Sequence, residues 1–424
     1  MENKTVIPSV LSGSLRIPAS KSIAHRAVIC ASLASGTSRI RGIDLSQDIR
    51  ATMECMRSLG ARMTWEGEEL VVKGIEGSIE KADLFCGESG STLRFLIPVA
   101  AALGVSARFT GAGRLGERPL SVYEDTLLSR GVTWRREEGG WLPLSIEGRL
   151  LPGEFRVRGD VSSQFITGLL LALPLLKEDS EIILTTPLES EPYVTLTLAA
   201  MDAFGVRAER TAFGYRIPGG QRYIPAEYAV EGDYSQAAFI LAAGALSAGA
   251  KGVCLTGLRK DSLQGDRAIL TILEQMGVPL RWQGEALWVK RAKEIENITV
   301  SASQCPDLMP VVAALGCCGR GEMHVQDGAR LRIKESDRLR AICREYGRIG
   351  ARITESWDSL KIEGCPGGYR GGTAESENDH RMAMSLAVLA QHTREGIRIL
   401  GADSVNKSWP SFWTDFKGIG GNYE

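Results

Sequence analysis

The apolar positions of this chain fall into two kinds of helical run. One kind is apolar on nearly every side, as in "GDVSSQFITGLLLALPLL" (Gly159–Leu176), where three polar residues stand directly before the greasy stretch. A helix without a polar face needs protein all round it. The same pattern recurs at "ASKSIAHRAVICASLASG", "SGSTLRFLIPVAAALG", "GDYSQAAFILAAGALSAG", "CPDLMPVVAALGCCGRG" and "NDHRMAMSLAVLAQHTREG". With Lys21, Ser91, Ser162, Tyr234, Asp307 and His380 as anchors, the spacings are 70, 71, 72, 73 and 73 residues. Regular self-similarity of this length marks a repeat architecture.

Each anchor helix is followed by a β-type run such as "EIILTTPL", then by a second, amphipathic helix. In five copies the second helix stops at a glycine, Gly60, Gly131, Gly205, Gly277 or Gly350, where a left-handed C′ residue is expected. Two short strands joined by glycine-containing turns come next, as in "LRWQGEALWVKR". The unit reads βαβαββ, six times over, with the sixth copy ("SWPSFWTDFKGIGG") truncated. Three copies lie on each side of the polar stretch "QRYIPAEYAVEGD". The fold expected is α/β, in two domains of three repeats each. Pseudo-threefold symmetry within a domain makes its three buried helices parallel, with their N-termini at one end. Free N–H groups and peptide dipoles make such ends positive. Two domains facing each other then aim six helix N-termini at one cleft, an anion trap.

Composition adds limits. The 424 residues are 44% hydrophobic and 24% charged, with a formal net charge of −1. A balanced total gives no global pull toward nucleic acid or membrane, so anion recognition must be local. The start lacks the apolar core of a signal peptide, and the greasiest runs are too short to span a bilayer. Nine cysteines without a CxxC pair, and four histidines, predict a reducing cytoplasm and no metal site. The Cys317–Cys318 pair reads as buried core. There is no P-loop, and no Gly-x-Ser-x-Gly elbow.

The chemistry gathers at the helix mouths. They carry Lys21, Ser22 and Arg26; Gly90, Ser91 and Arg94; Ser162, Ser163 and Gln164; Asp233 to Gln236, which reads as plain capping; Asp307; and Asp379, His380 and Arg381. Intervening loops add Arg118, Ser190, Tyr193, Lys334, Glu335, Arg338 and Lys407. Cations dominate this set, so the ligand expected is small and multiply anionic; arginine gives bidentate grips and lysine a point charge. Asp307 and Glu335 oppose an anion unless they move protons, which makes them acid–base candidates. The bland alternatives are an N-cap for Asp307 and a first-turn dipole partner for Glu335.

Taken in order, "PASKSIAHRA", "CGESGSTLRF", "GERPL", "GDVSSQF", "SEPY", "CPDLMP", "RIKESDRL", "NDHRMAM" and "NKSWP" resemble the 5-enolpyruvylshikimate-3-phosphate synthase family over the whole chain. The resemblance implies an inside-out fold of two domains, each of three βαβαββ units, closing over the substrates. The implied domains are 19–229 and, completed by the N-terminal segment, 1–18 with 230–424. The implied reaction moves the enolpyruvyl group of phosphoenolpyruvate to the 5-hydroxyl of shikimate 3-phosphate and releases phosphate, without metal or organic cofactor. By the same resemblance, Lys21, Ser22, Arg26, Ser162, Ser163, Gln164, Ser190, Tyr193, Asp307 and Lys334 bind shikimate 3-phosphate. Lys21, Gly90, Arg118, Gln164, Arg338, Arg381 and Lys407 bind phosphoenolpyruvate. Asp307 takes the 5-hydroxyl proton, and Glu335 or Lys21 protonates C3. A cytoplasmic monomer inhibited by glyphosate, with no nucleic-acid or membrane partner, is implied as well.

Two departures stand out: Arg330 where many members carry Asn or Glu, and "GESGS" for "GNAGT", which puts Glu88 beside the anion site. Glu88 is expected to pair with a neighbouring arginine. Two rivals are weighed. UDP-N-acetylglucosamine enolpyruvyl transferases carry a reactive cysteine where this chain has Gly113. A non-catalytic six-repeat scaffold predicts interchangeable mouths, whereas these differ chemically.

Overall fold

The computed structural model describes residues 2–137 and 139–424, and the chain divides into two compact units. The N-terminal unit is Ser20–Val230; the C-terminal unit is Met1–Ala19 with Glu231–Glu424. Twelve helices are named in chain order: α1 (Lys21–Leu33), α2 (Gln47–Ser58), α3 (Gly90–Leu103), α4 (Ser121–Leu128), α5 (Ser163–Ala172), α6 (Glu191–Ala203), α7 (Tyr234–Ser247), α8 (Ala268–Gln275), α9 (Met309–Cys318), α10 (Arg338–Arg348), α11 (His380–Ala390) and α12 (Phe412–Gly418). The odd-numbered helices α1, α3, α5, α7, α9 and α11 are the six anchor helices, and nearly all their residues are buried. Fully burying one leucine of such a helix is worth about 1.5–3 kcal/mol, so each apolar helix is held by its surroundings rather than by propensity. No helix among the described residues is long and apolar enough to cross a membrane.

Each unit carries three four-stranded sheets, one per βαβαββ repeat. In the second repeat, Lys81–Phe85 runs parallel to Ser106–Thr110, which pairs antiparallel with Leu144–Gly148, and Val132–Arg136 completes the edge. Three repeats take in a strand from elsewhere in the chain. Glu227–Ala229 adds in parallel to Thr37–Arg41 of the first repeat. Leu11–Arg16 adds in parallel to Ala248–Thr256 of the fourth, with Leu15 opposite Leu255. Lys4–Ile7 lies between Ile397–Leu400 and Asn422–Tyr423 in the sixth.

These pairings complete the truncated sixth copy. The copy has its second helix, α12, which ends like the others: Gly420 at φ 96°, with Gly421 N–H donating to Phe416 O. What the tail lacks in sequence is one hairpin strand, and the N-terminal Lys4–Ile7 supplies it. The five expected C′ glycines have φ between 76° and 105°. At Gly60, Gly205, Gly277 and Gly350 the following residue closes a 6→1 bond, for example Ala61 N to Met56 O at 3.0 Å.

Close approach of the anchor helices needs glycine at one crossing. A Cβ on Gly168 of α5 would collide with the Arg94 carbonyl of α3 and with the Tyr123 hydroxyl. That hydroxyl lies 2.8 Å from the carbonyl oxygens of both Arg94 and Phe165, pinning α3, α4 and α5 together near their mouths. All nine cysteines are free thiols, with Cys317 and Cys318 buried in α9.

Candidate active site

In the N-terminal unit the mouths of α1, α3 and α5 are laced together by cations and neutral oxygens. Arg26 is buried, and its guanidinium donates to Thr197 Oγ1 (2.8 Å), Thr167 Oγ1 (3.3 Å), Tyr193 O (2.9 Å) and Ser22 O (2.5 Å). Burial without a carboxylate partner pulls its pKa down to about 10. Arg94, also buried, donates to Gln164 Oε1 (2.8 Å) and Pro119 O (3.1 Å), and its guanidinium stacks 4.7 Å from the Phe165 ring centre. Burial, with Arg118 close by, pushes its pKa well below the arginine range. Two neighbouring guanidiniums are the electrostatic signature of an anion site.

Gln164 donates in turn to Ser91 Oγ at 2.9 Å. Ser162 is the N-cap of α5, its hydroxyl accepting from Gln164 N–H (3.3 Å), and Ser163 is buried. The polar residues before the greasy helix thus divide their work: Ser162 caps, while Gln164 bridges to α3. Ser190, at the N-cap of α6, is buried and holds φ 55°, a strained conformation for a residue with a Cβ. Lys21 opens α1, and its ammonium sits 2.7 Å from Asp48 Oδ2, a partner from α2 that the sequence did not point to.

Gly90 has a specific steric role. A Cβ there would fall on the guanidinium of Arg118, so the space beside Gly90 is taken by a cation rather than left open. Glu88 lies across Gly113: a Cβ on Gly113 would approach Glu88 Oε2 to 2.5 Å, and Gly113 itself has φ 55°. A cysteine at the position where the rival transferases carry theirs would have to displace the Glu88 carboxylate.

The C-terminal unit gathers the remaining candidates around carboxylates. Asp307 lies in a 3₁₀ turn (Pro306–Leu308) ahead of α9, and Leu308 is that helix's N-cap. Its carboxylate does not cap α9. It is gripped by Arg338 (Oδ1, 2.8 Å), Arg381 (Oδ2, 3.0 Å) and Lys334 (Oδ1, 3.4 Å). Burial alone would raise its pKa, but Arg381, Lys334 and Arg338 together hold it well below the usual carboxylate range. Arg338, almost wholly buried, also bonds Asp379 at 2.8 Å through Nε, and Ser336 donates to the same carboxylate. Asp379 caps α11 by accepting from Arg381 N–H at 2.9 Å.

Glu335 is not in the first turn of α10, where the bland reading put it. That helix begins at Arg338 and is capped by Asp337, and Glu335 lies in the preceding loop, its Oε2 2.8 Å from Nδ1 of buried His380. Lys407 is buried and donates to Asn378 O at 2.6 Å, in the loop leading to α11. Arg330 is buried too and donates to Ser303 O. Asp233, as expected, is a plain cap, accepting from Ser235 and Gln236 N–H groups. Behind Asp307 stands Asp266, buried and hydrogen-bonded by Ser235; burial and the nearby Asp307 push its pKa up to about 6.

Ligating atoms of Glu335, Asp379 and His380 lie within 4.8 Å of one another, the one such group found among the described residues. Arg338, bonded to Asp379, already supplies positive charge there. Asp379 and His380 are legible in the sequence as mouth residues without roles; Asp266 and Asp48 stand within ordinary amphipathic helix starts, where no motif marks them.

Residues 6–416 match the family described as EPSP synthase (3-phosphoshikimate 1-carboxyvinyltransferase). A 3-phosphoshikimate 1-carboxyvinyltransferase of Clostridium kluyveri is 46% identical, covering 100% of this chain and 99% of its own. One from Clostridium perfringens is 47% identical over 99% of each. Among solved structures, EPSP synthase from Acinetobacter baumannii superposes with a TM-score of 0.82 at 24% identity, covering 100% of this chain and 99% of that one. The enolpyruvyl transferase NikO from Streptomyces tendae gives 0.80 at 18% identity, covering 100% and 98%. Full-length identity at this level, with the family match spanning nearly every residue, settles the kinship: the chain belongs to the EPSP synthase (3-phosphoshikimate 1-carboxyvinyltransferase) family.

Proposed function

We infer that the chain carries out its family's reaction: transfer of the enolpyruvyl group of phosphoenolpyruvate to the 5-hydroxyl of shikimate 3-phosphate, with release of phosphate, in the shikimate pathway. The observation that carries the mechanism is the triple grip of Lys334, Arg338 and Arg381 on Asp307. Without substrate, this carboxylate is the anion at its own anion site. Its lowered pKa makes it a poor base. A phosphoenolpyruvate carboxylate and phosphate, with more charge to offer, would draw Arg338, Arg381 and Lys407 onto themselves. Asp307, released from its cations, becomes basic enough to take the 5-hydroxyl proton as that oxygen attacks C2.

C3 takes up a proton at the same stage, from Glu335 or Lys21. The product of this addition is a tetrahedral phosphate ketal. Return of the C3 proton to the protein, with departure of phosphate, regenerates the enol ether. In this reading Lys21, Ser22, Ser162, Ser163, Gln164, Ser190, Tyr193 and Lys334 bind shikimate 3-phosphate. Gly90, Arg118, Arg338, Arg381 and Lys407 take the phosphoenolpyruvate. Arg26, whose donors go to Ser22, Thr167, Tyr193 and Thr197, acts on the sugar-like acid by fixing Ser22 and Tyr193. At an effective dielectric near 20, each contact between opposite charges is worth on the order of 4 kcal/mol before desolvation, so several such grips suit a pair of polyanions.

The reading includes a cytoplasmic monomer, tested by sedimentation equilibrium against the chain mass of 45.9 kDa. It also includes glyphosate, an anion of phosphoenolpyruvate's size class, as an inhibitor at the same cations. The deciding experiment is phosphate release from phosphoenolpyruvate with shikimate 3-phosphate, UDP-N-acetylglucosamine or neither. Release only with shikimate 3-phosphate is expected; release only with the nucleotide sugar would overturn the assignment.

A further inference from the structure

Four side chains of the N-terminal unit that touch no proposed ligand form an unbroken buried hydrogen-bond chain. His25 Nδ1 lies 2.7 Å from Thr52 Oγ1, Thr52 Oγ1 lies 2.7 Å from Thr92 Oγ1, and Thr92 Oγ1 donates to Ser89 Oγ at 2.8 Å. All four are at most 1% exposed. They come from α1, α2, and α3 with its N-cap.

The proton order along this chain is determined. Each hydroxyl has one hydrogen. Thr92 spends its own on Ser89, so it must accept from Thr52; Thr52 must then accept from His25. The imidazole therefore carries its hydrogen on Nδ1. Its Nε2 finds no hydrogen-bond partner among the described residues, which suits a bare lone pair and not a second buried N–H. Burial, reinforced by Lys21 and Arg26, drives its pKa well below the ordinary histidine value and keeps the ring neutral.

The chain also closes a ring. Arg26 of α1 reaches Thr167 of α5; Gln164 of α5 reaches Ser91 and Arg94 of α3; Thr92 of α3 reaches Thr52 of α2; and Thr52 returns to His25 of α1. α2 carries no proposed substrate residue, yet one turn before Thr52 it presents Asp48 to the Lys21 ammonium at 2.7 Å. We propose that Thr52, with His25 and Thr92, is a positioning residue that sets the mouth of α3, with Gly90 and Ser91, against the mouth of α1, with Lys21, in the geometry phosphoenolpyruvate requires.

The proposal rests on the functional reading above. Thr52→Val keeps the side-chain shape and removes both bonds. Placement errors of an ångström cost up to about a hundredfold in rate; here KM for phosphoenolpyruvate is expected to rise about tenfold, with kcat within about threefold. Thr52→Ser, which restores the hydroxyl, should bring KM back to within about twofold of wild type. A Thr52→Val enzyme with unchanged KM, even if it melts at lower temperature, overturns the positioning role, and so does failure of Thr52→Ser to rescue. The ¹⁵N chemical shifts of the His25 ring in the full-length wild-type protein give a second test needing no variant and no turnover. The Nδ1–H tautomer at neutral pH is expected; an imidazolium or an Nε2–H tautomer overturns the chain. Wild-type protein that releases no phosphate at all would defeat the functional reading, while the nitrogen shifts would still test the network.

Discussion

The two units build their helix mouths from the same repeat but set their most deeply buried mouth arginines in opposite surroundings. In the N-terminal unit, Arg26 and Arg94 are buried among hydroxyl, amide and carbonyl oxygens, and their pKa values fall. In the C-terminal unit, Arg338 is equally buried but lies between Asp307 and Asp379, and its pKa rises: burial opposes the charge, and the two carboxylates outweigh it. The first arrangement leaves buried positive charge with no carboxylate among the described residues bonded to it. The second holds carboxylates in reserve, and carboxylates move protons. One scaffold thus yields two kinds of helix mouth through the choice of counter-groups, not through a change of fold.

The strongest way to break this contrast is to make the C-terminal mouths resemble the N-terminal ones. Asp307→Asn keeps shape and removes the base; kcat for phosphate release is expected to fall by about 10³–10⁴, the range of a positioned general base and its electrostatic share. A loss below about tenfold would move the base elsewhere. Next in size, Glu335→Gln and Lys21→Arg are each expected to cost about a hundredfold. Their pH–rate profiles separate them: the variant that removes the C3 donor loses the limb belonging to that group, and the other keeps it.

Gly90→Ala sharpens the N-terminal side of the comparison. The added Cβ must displace the Arg118 guanidinium, so KM for phosphoenolpyruvate should rise about tenfold and glyphosate inhibition should weaken in parallel. An unchanged inhibition constant would show that Arg118 is not a ligand grip. The smallest effect concerns stability alone. Asp266, with its pKa raised from 3.8 to about 6, favours the folded state only while protonated. Above pH 6 the buried charge costs stability that Asp266→Asn does not lose. The variant should therefore be more stable at pH 8 by on the order of 1–3 kcal/mol, the gain shrinking as pH falls through 6 and vanishing below 3.8. A gain that persists in acid would assign the effect to packing.

Much of the fold was legible because its signals are local. Full apolar coverage marks the anchor helices, and glycine at positive φ marks the ends of their partners. The completion of the sixth copy was not legible in its own stretch, because Lys4–Ile7 arrives from the other end of the chain. The same division holds at the site. The cations could be read from the mouth motifs, but their counter-ions could not: Lys21 meets Asp48 27 residues away, and Arg338 meets Asp379 41 residues away. Asp307 and Glu335 each had an ordinary helix-start reading, and only the geometry takes Asp307 off α9's cap and Glu335 out of α10's first turn. Thr52 and Thr92 look like any polar residues on helices until their hydroxyls are seen 2.7 Å apart.

The central claim is that Asp307 stands in for the substrate anion until phosphoenolpyruvate replaces it. The most direct measurement is calorimetric titration of phosphoenolpyruvate into wild-type and Asp307→Asn protein, without shikimate 3-phosphate. Removing the internal competitor should tighten binding about tenfold or more, one unit charge at an effective dielectric near 20 being worth several kcal/mol before desolvation. Equal or weaker affinity in the variant would contradict the account.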